Sequence, residues 1–161
     1  MRPPNKDSDV DLMIVLDSGW VELFLHVDRQ MYLVEATEAF GDPAHDFIVA
    51  LTVMIRGAPE AAFVWYGEPG ETRWRFRRVA DQHHKMTVRV ESCERLGRPG
   101  REIVEPLEFE VKLRLFCLCF CKQMEKLQIL MTEKTYRGPR KHSFPLDAFH
   151  DFQRAVRERW G

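Results

Sequence analysis

The chain has 161 residues, of which 45% are hydrophobic and 11% aromatic, which is enough for one buried core and short for two domains. Lysine and arginine number 24 against 25 aspartate and glutamate, so the net charge of -1 supplies no overall positive field for nucleic acid or a membrane surface. No apolar run approaches the length of a spanning helix, and no signal-peptide pattern opens the chain. We therefore expect one cytoplasmic domain over residues 1–161, with a flexible polar tail at residues 1–10.

The first third of the chain predicts three strands followed by a helix. Apolar or alternating segments cover Leu12–Leu16, Trp20–Val27 and Met31–Ala36, and polar turn residues separate them. Asp42 is a suitable N-cap with Pro43 at the first helical position, and Gly57 stops the apolar stripe that follows. This pattern predicts a helix over residues 43–56.

The central segment from Phe63 to Arg78 predicts a β-hairpin. Its turn, E-P-G-E at residues 68–71, suits type II geometry, because proline fixes φ at the second position and glycine tolerates a positive φ at the third. The strand after the turn alternates, so that Thr72, Trp74 and Phe76 face one side and Arg73, Arg75 and Arg77 face the other. We expect the aromatic side to be buried.

The last part of the chain predicts two more strands and two helices. Residues 85–91 and 105–112 alternate, with His83 and His84 interpreted as an exposed break before the first of them. A helical stripe then covers residues 112–134, and a second begins near Phe144 and Pro145. The predicted fold class is α+β, with about seven strands in one mostly antiparallel sheet, one helix after the third strand and two C-terminal helices.

Cysteine usage is typical of a reducing compartment. Cys117, Cys119 and Cys121 are too close together on one regular element to form a sensible disulfide, and Cys93 alone is left for pairing. Cys117 and Cys121 share a helix face and could supply two metal ligands, but no second ligand pair completes a four-ligand site. We interpret these cysteines as small core residues and expect neither a metal nor a cofactor.

The sequence contains no catalytic signature. Its six histidines are scattered, and neither a nucleophile elbow nor a phosphate-binding glycine loop is present. Asp42, His45 and Asp46 cluster at a helix start, where a capping role is simpler than a metal site. We therefore expect a protein that is not an enzyme.

The arginine row of the hairpin is the surface feature best suited to function. Lys85 and Arg89 on the next strand would extend it, and Glu108 and Glu110 on the strand beyond could neutralise it as an ordinary solvated face. A nucleic-acid role is disfavoured, because Trp74 and Phe76 point away from the arginines and could not stack on bases beside them. A row of like charges of this kind needs either nearby carboxylates or an acidic partner.

A resemblance to a known family points to a class of protein for this chain. The order G-D-P-A-H-D-F, then W-Y-G-E-P-G-E-T-R-W, then Y-R-G-P-R-K-H-S-F-P before a last helix resembles small bacterial immunity proteins of polymorphic-toxin and contact-dependent inhibition systems. The resemblance implies a cytoplasmic module that binds and neutralises a cognate toxin without catalysis. The alternative is a small enzyme or ligand-binding protein with a pocket between the sheet and the C-terminal helices, where Cys93, His142 or Trp160 could gather.

The predicted partner-binding residues are the charged side chains of the hairpin: Glu68, Glu71, Arg73, Arg75 and Arg77. A protruding turn beside a charged sheet face can steer a partner and fix its register. A rival acidic surface of Glu35, Glu38 and Asp42 would suit a basic toxin. No feature of the sequence indicates an oligomeric state.

Overall fold

The computed structural model describes residues 7–68, 70–92, 105–140 and 144–161. The strands are β1 (Val10–Asp17), β2 (Trp20–Val27), β3 (Gln30–Thr37), β4 (Glu60–Tyr66), β5 (Glu71–Val79), β6 (Gln82–Ser92) and β7 (Leu107–Lys112). The helices are α1 (Pro43–Ile55), α2 (Leu113–Leu130), α3 (Lys134–Arg137) and α4 (Leu146–Trp160), with a 3-10 turn at Glu38–Phe40. The α+β class and the seven strands are confirmed.

The prediction of one sheet was wrong, because the strands form two antiparallel sheets. One has the order β1-β2-β3 and the other the order β4-β5-β6-β7. Side chains of α2 occupy the free edge of β1: Gln123 Oε1 accepts from Ile14 N at 3.1 Å, and Lys126 Nζ donates to Ile14 O at 2.8 Å. Since these edge groups are satisfied by a helix, β1 does not pair with another strand there.

Local signals place α1 correctly and α2 only in part. Asp42 Oδ1 accepts from the backbone N-H of His45 at 3.1 Å, and Gly57 adopts a φ of 105° directly after the helix, as predicted. The helix predicted over 112–134 instead ends at Leu130, and a single further turn forms α3.

None of the helices in the described ranges is long and apolar enough to cross a membrane.

The predicted break at His83 and His84 was also wrong. The chain reverses at Ala80 and Asp81, Val79 pairs with Gln82, and both histidines lie within β6. Their side chains are exposed. A register irregularity between Arg78 and Val79 accommodates the tight turn, which is a feature that alternation alone does not show.

The core draws on both sheets and on the long helices. Phe47 of α1 is fully buried at its centre, with its ring centroid 4.7 Å from that of Phe120 on α2 and 5.0 Å from that of Trp74 on β5. Phe149 and Phe152 of α4 extend the same aromatic cluster. The four-stranded sheet is therefore anchored on its inner face by α1 and α2.

The segment before β1 is packed over its described length. Ser8 is buried and donates its backbone N-H to Glu110 O at 3.0 Å, which joins this segment to β7. Asp7 Oδ1 lies 2.7 Å from Lys85 Nζ on β6. The predicted flexible tail of residues 1–10 therefore does not extend over residues 7–10, and residues 1–6 lie outside the described ranges.

Candidate partner-binding face

Strand β5 separates the core from a charged surface. Thr72, Trp74 and Phe76 are at most 1% exposed, whereas Arg73, Arg75 and Arg77 are exposed on the opposite side. The centroids of Trp74 and Phe76 lie 5.0 and 5.6 Å from that of Phe47. The sequence therefore assigned the two faces of this strand correctly, and the core fixes the backbone from which the arginines project.

We call this surface the arginine face, defined by Arg73, Arg75 and Arg77 of β5 and Arg89 of β6. Three of these guanidinium groups contact carboxylates. Arg73 Nη2 lies 2.9 Å from Glu71 Oε1, and Arg77 Nη2 lies 3.6 Å from Glu60 Oε2. Arg89 makes two such contacts, 2.5 Å to Glu91 Oε1 and 2.6 Å to Glu108 Oε2.

These contacts confirm one of the two carboxylates that we expected to neutralise the arginine row. Glu108 neutralises Arg89, as expected, and these hydrogen bonds to Glu91 and Glu108 raise the pKa of the Arg89 guanidinium. Glu110 instead lies opposite Thr87. Exposed pairs of this kind contribute little stability individually, so they define a pattern of charge more than they hold the fold.

Lys85 does not extend the arginine face as predicted. It is only 6% exposed and pairs with Asp7, because the segment before β1 covers this end of the sheet. The alternating pattern of the strand places this lysine on the outward side and predicts that its side chain is exposed to solvent. Its burial depends on a segment almost eighty residues away in the chain.

Arg75 differs from the other three arginines of this face. Its strand partners are Ala62 on β4 and Arg89 on β6, so the register places no carboxylate directly beside it. Within the described ranges, the structure gives the Arg75 guanidinium no hydrogen bond or ion pair with a carboxylate. It is therefore the cation of this face that is available to an outside group.

A hollow lies beside Arg75 on the arginine face. Its volume is about 280 Å³, and it is lined by Ala62, Phe63, Val64, Arg73, Trp74, Arg75, Arg89 and Glu91. The methyl group of Ala62 leaves space where a longer side chain would cover β5. The sequence interpretation missed Ala62, although the hairpin register pairs it with Arg75 once the turn at residues 67–70 is known.

The hairpin tip carries the two acidic residues of the predicted site. Glu68 is exposed, and Glu71 is partly buried with its carboxylate held by Arg73 Nε and Nη2. Gly70 has a φ of 96°, which suits the third position of a type II turn, while Pro69 lies outside the described residues. Glu71 therefore belongs to the arginine face, and Glu68 lies beyond its end.

The structure does not present Glu35, Glu38 and Asp42 as one open acidic surface. Four consecutive residues from Val34 to Thr37 are buried, so both sides of this strand end are covered and Glu35 is not the exposed group that the rival acidic surface requires. Asp42 caps α1. Glu38 is partly buried in the 3-10 turn.

The described cysteines and acidic residues do not resemble a reactive site. Cys117 and Cys121 are buried in the core, and burial raises the pKa of the Cys117 thiol far above its usual value and that of Cys121 to about 11. No group of three metal-ligating side chains comes together in the parts of the chain that the structure describes. Burial also raises the pKa of Asp46, beside His45 at the start of α1.

The alternative pocket between sheet and C-terminal helices is occupied by side chains over its described part. Phe116, Phe120, Phe149 and Phe152 fill this space and are at most 1% exposed. Trp160 is partly buried against the same core. Cys93 and His142, the other residues of that hypothesis, lie outside the described ranges.

A second hollow, of about 490 Å³, lies next to Arg77 and Arg78 at the end of the four-stranded sheet. Arg78 donates to the carbonyl oxygens of Met54 and Ala58 at the end of α1, and to His83 O at 2.6 Å. Burial lowers the pKa of the Arg78 guanidinium. Because these donors are already used, Arg78 connects α1 to the sheet and is less available than Arg75.

Comparison with known proteins gives no relative from which a function could be proposed. No protein-family model, curated protein or solved structure matches the chain significantly.

Proposed function

We propose that this chain is a non-catalytic protein-binding module, and specifically an immunity protein that binds and neutralises a cognate bacterial toxin in the cytoplasm. The observation that carries the proposal is the arginine face. Its backbone is fixed by the aromatic core, its outer side carries charges of both signs, and the Arg75 guanidinium has no carboxylate partner among the residues that the structure describes.

Such a surface has the properties that a specific binder needs. A strand fixed by its buried side loses little conformational freedom on association, so less free energy opposes binding. Charges of both signs steer encounter and penalise partners with the wrong pattern. Arginine is also enriched among residues whose truncation costs most at interfaces. Glu71, Arg73, Arg75 and Arg77 form the proposed contact surface, with Glu68 at its rim.

The test is co-expression of this chain with the toxin domain encoded in an adjacent reading frame, scored by cell survival and co-purification. We expect the wild type to protect cells and to form a stoichiometric complex. Failure of the wild type on both readouts would contradict the immunity assignment.

Charge reversal then tests the surface. Arg73, Arg75 and Arg77 are changed together to glutamate, and the matched control reverses Arg154, Arg157 and Arg159, which are exposed on α4 behind the core. Circular dichroism confirms that both variants are folded. We expect protection to be lost only in the first variant. Protection that survives in it would mean that the partner binds elsewhere.

A further inference from the structure

The surroundings of Arg75 indicate which chemical group the arginine face would accept. Arg75 and Arg89 are direct cross-strand partners, and like charges in this position repel. Arg89 is neutralised because its guanidinium contacts both Glu91 and Glu108. Arg75 receives no comparable contact from the described residues. Of the two guanidinium groups, only that of Arg89 is therefore neutralised by carboxylates.

The space for a balancing group lies over Ala62. The other two β5 arginines of the arginine face lie opposite longer side chains on β4, Val64 opposite Arg73 and Glu60 opposite Arg77. Only Arg75 faces an alanine, and the hollow of about 280 Å³ opens there. A side chain entering from outside would meet the Arg75 guanidinium over an apolar floor of Ala62 and Val64.

The charges around the hollow favour a single carboxylate over a polyanion. Glu91 lines the hollow, and Glu71 and Glu108 lie close to it through their contacts with Arg73 and Arg89. A nucleic-acid backbone would bring successive phosphates against these carboxylates, with no wider basic field to offset the repulsion. A single aspartate or glutamate side chain instead completes the pattern of the face, and a guanidinium can hold it through two parallel hydrogen bonds.

We infer that Arg75 is the anchor for an acidic side chain of the protein partner, which enters the hollow over Ala62 and pairs with the guanidinium. This inference rests on the proposed function and specifies the chemistry of the partner at that site. The occupant is an aspartate or glutamate on a protruding segment, and the surrounding carboxylates restrict entry to one such group.

The first test needs no knowledge of the partner. The Nε-Hε resonances of Arg75 and Arg77 are followed by NMR while a capped Gly-Glu-Gly tripeptide is added, with capped Gly-Gln-Gly as the matched control. We expect a saturable shift at Arg75 with the glutamate peptide only, and a smaller one at Arg77, which Glu60 already contacts. Equal effects of the two peptides would overturn the inference.

The same titration discriminates the rival ligands. Inorganic phosphate and a thymidine oligonucleotide are added separately to the same sample. The inference predicts that the oligonucleotide shifts Arg75 less than the glutamate peptide does. A stronger, saturable response to the oligonucleotide would overturn it in favour of a nucleic-acid surface.

The second test uses the toxin domain of the adjacent reading frame. Arg75→Gln should weaken its binding by about tenfold or more, the range expected of an interface anchor, whereas Arg77→Gln should change it by less. An acidic residue of the domain changed to lysine should restore binding to Arg75→Glu. Wild-type affinity in Arg75→Gln would overturn the inference and leave the proposed function standing. Failure of the domain to bind the wild type, with a positive peptide titration, would overturn only the proposed function.

Discussion

The ring of Phe47 on α1 lies nearly parallel to that of Phe120 on α2, with centroids 4.7 Å apart and an interplanar angle of 15°. Phe47 also packs edge-on against Trp74 and Phe76 of β5. The Phe47 side chain thus connects α1 and α2 to β5, the strand that carries most of the arginine face.

This stack should be measurable as a coupling. We expect Phe47→Leu and Phe120→Leu each to destabilise the protein, and the double variant to lose about 0.5 to 1.5 kcal/mol less than the sum, because each single change already removes the ring pair. Urea unfolding of the wild type, the two single variants and the double variant gives the four free energies of this double-mutant cycle. Strict additivity would mean that the stacking adds nothing beyond burial.

Trp74 tests the assignment of the two faces of β5. Trp74→Ala should lower the free energy of unfolding by about 3 to 5 kcal/mol, because it removes a fully buried indole from the aromatic core. The neighbouring change Arg75→Ala should stay within about 0.5 kcal/mol, since Arg75 is exposed. Chemical denaturation compares them, and equal midpoints would refute the assignment.

A pH-dependent contribution should come from the ion pair between α1 and α4. Arg56 Nη1 and Nη2 donate to the two carboxylate oxygens of Asp151 at 3.0 and 2.7 Å, and these hydrogen bonds lower the pKa of Asp151 below its usual 3.8. A carboxyl whose pKa is lower in the folded state stabilises the fold above its unfolded pKa, and this stabilisation disappears as the pH falls through the folded pKa.

Asp151→Asn should therefore be less stable than the wild type at pH values well above 3.8, with the difference closing below it. The effect should be small and weaken with salt, because both side chains are more than 40% exposed. Urea unfolding across this pH range measures it. In an Arg56→Met background the pH dependence of the difference should shrink to the smaller part that Arg154 supplies, since Arg154 Nη1 lies 3.7 Å from Asp151 Oδ1. An undiminished pH dependence would mean that Arg56 is not its main cause.

The cysteines give a test of the expectation that no metal is required. Burial disfavours the thiolate forms of Cys117 and Cys121, and thiolates are the forms that bind zinc. We expect the melting temperature to be unchanged by EDTA, and native alkylation to be slower at Cys117 than at the partly exposed Cys119. Stoichiometric zinc, lost together with the fold on chelation, would refute this expectation.

Local sequence patterns determined the two faces of β5 and the bounds of α1. The period-two alternation of β5 placed Trp74 inside and Arg75 outside, because a shift by one residue would reverse both. Asp42, Pro43 and Gly57 bounded α1 through cap and turn chemistry that acts within a few residues.

Tertiary structure alone decided how the elements combine. The strands divide into two sheets, with the edge of β1 covered at Ile14 by side chains of α2, and the burial of Lys85 follows from its ion pair with Asp7. The hollow beside Arg75 likewise depends on its neighbours Ala62 and Arg89 on the two flanking strands. Each is a contact between residues distant in the chain, which periodicity cannot encode because it reports only which side of its own element a residue occupies.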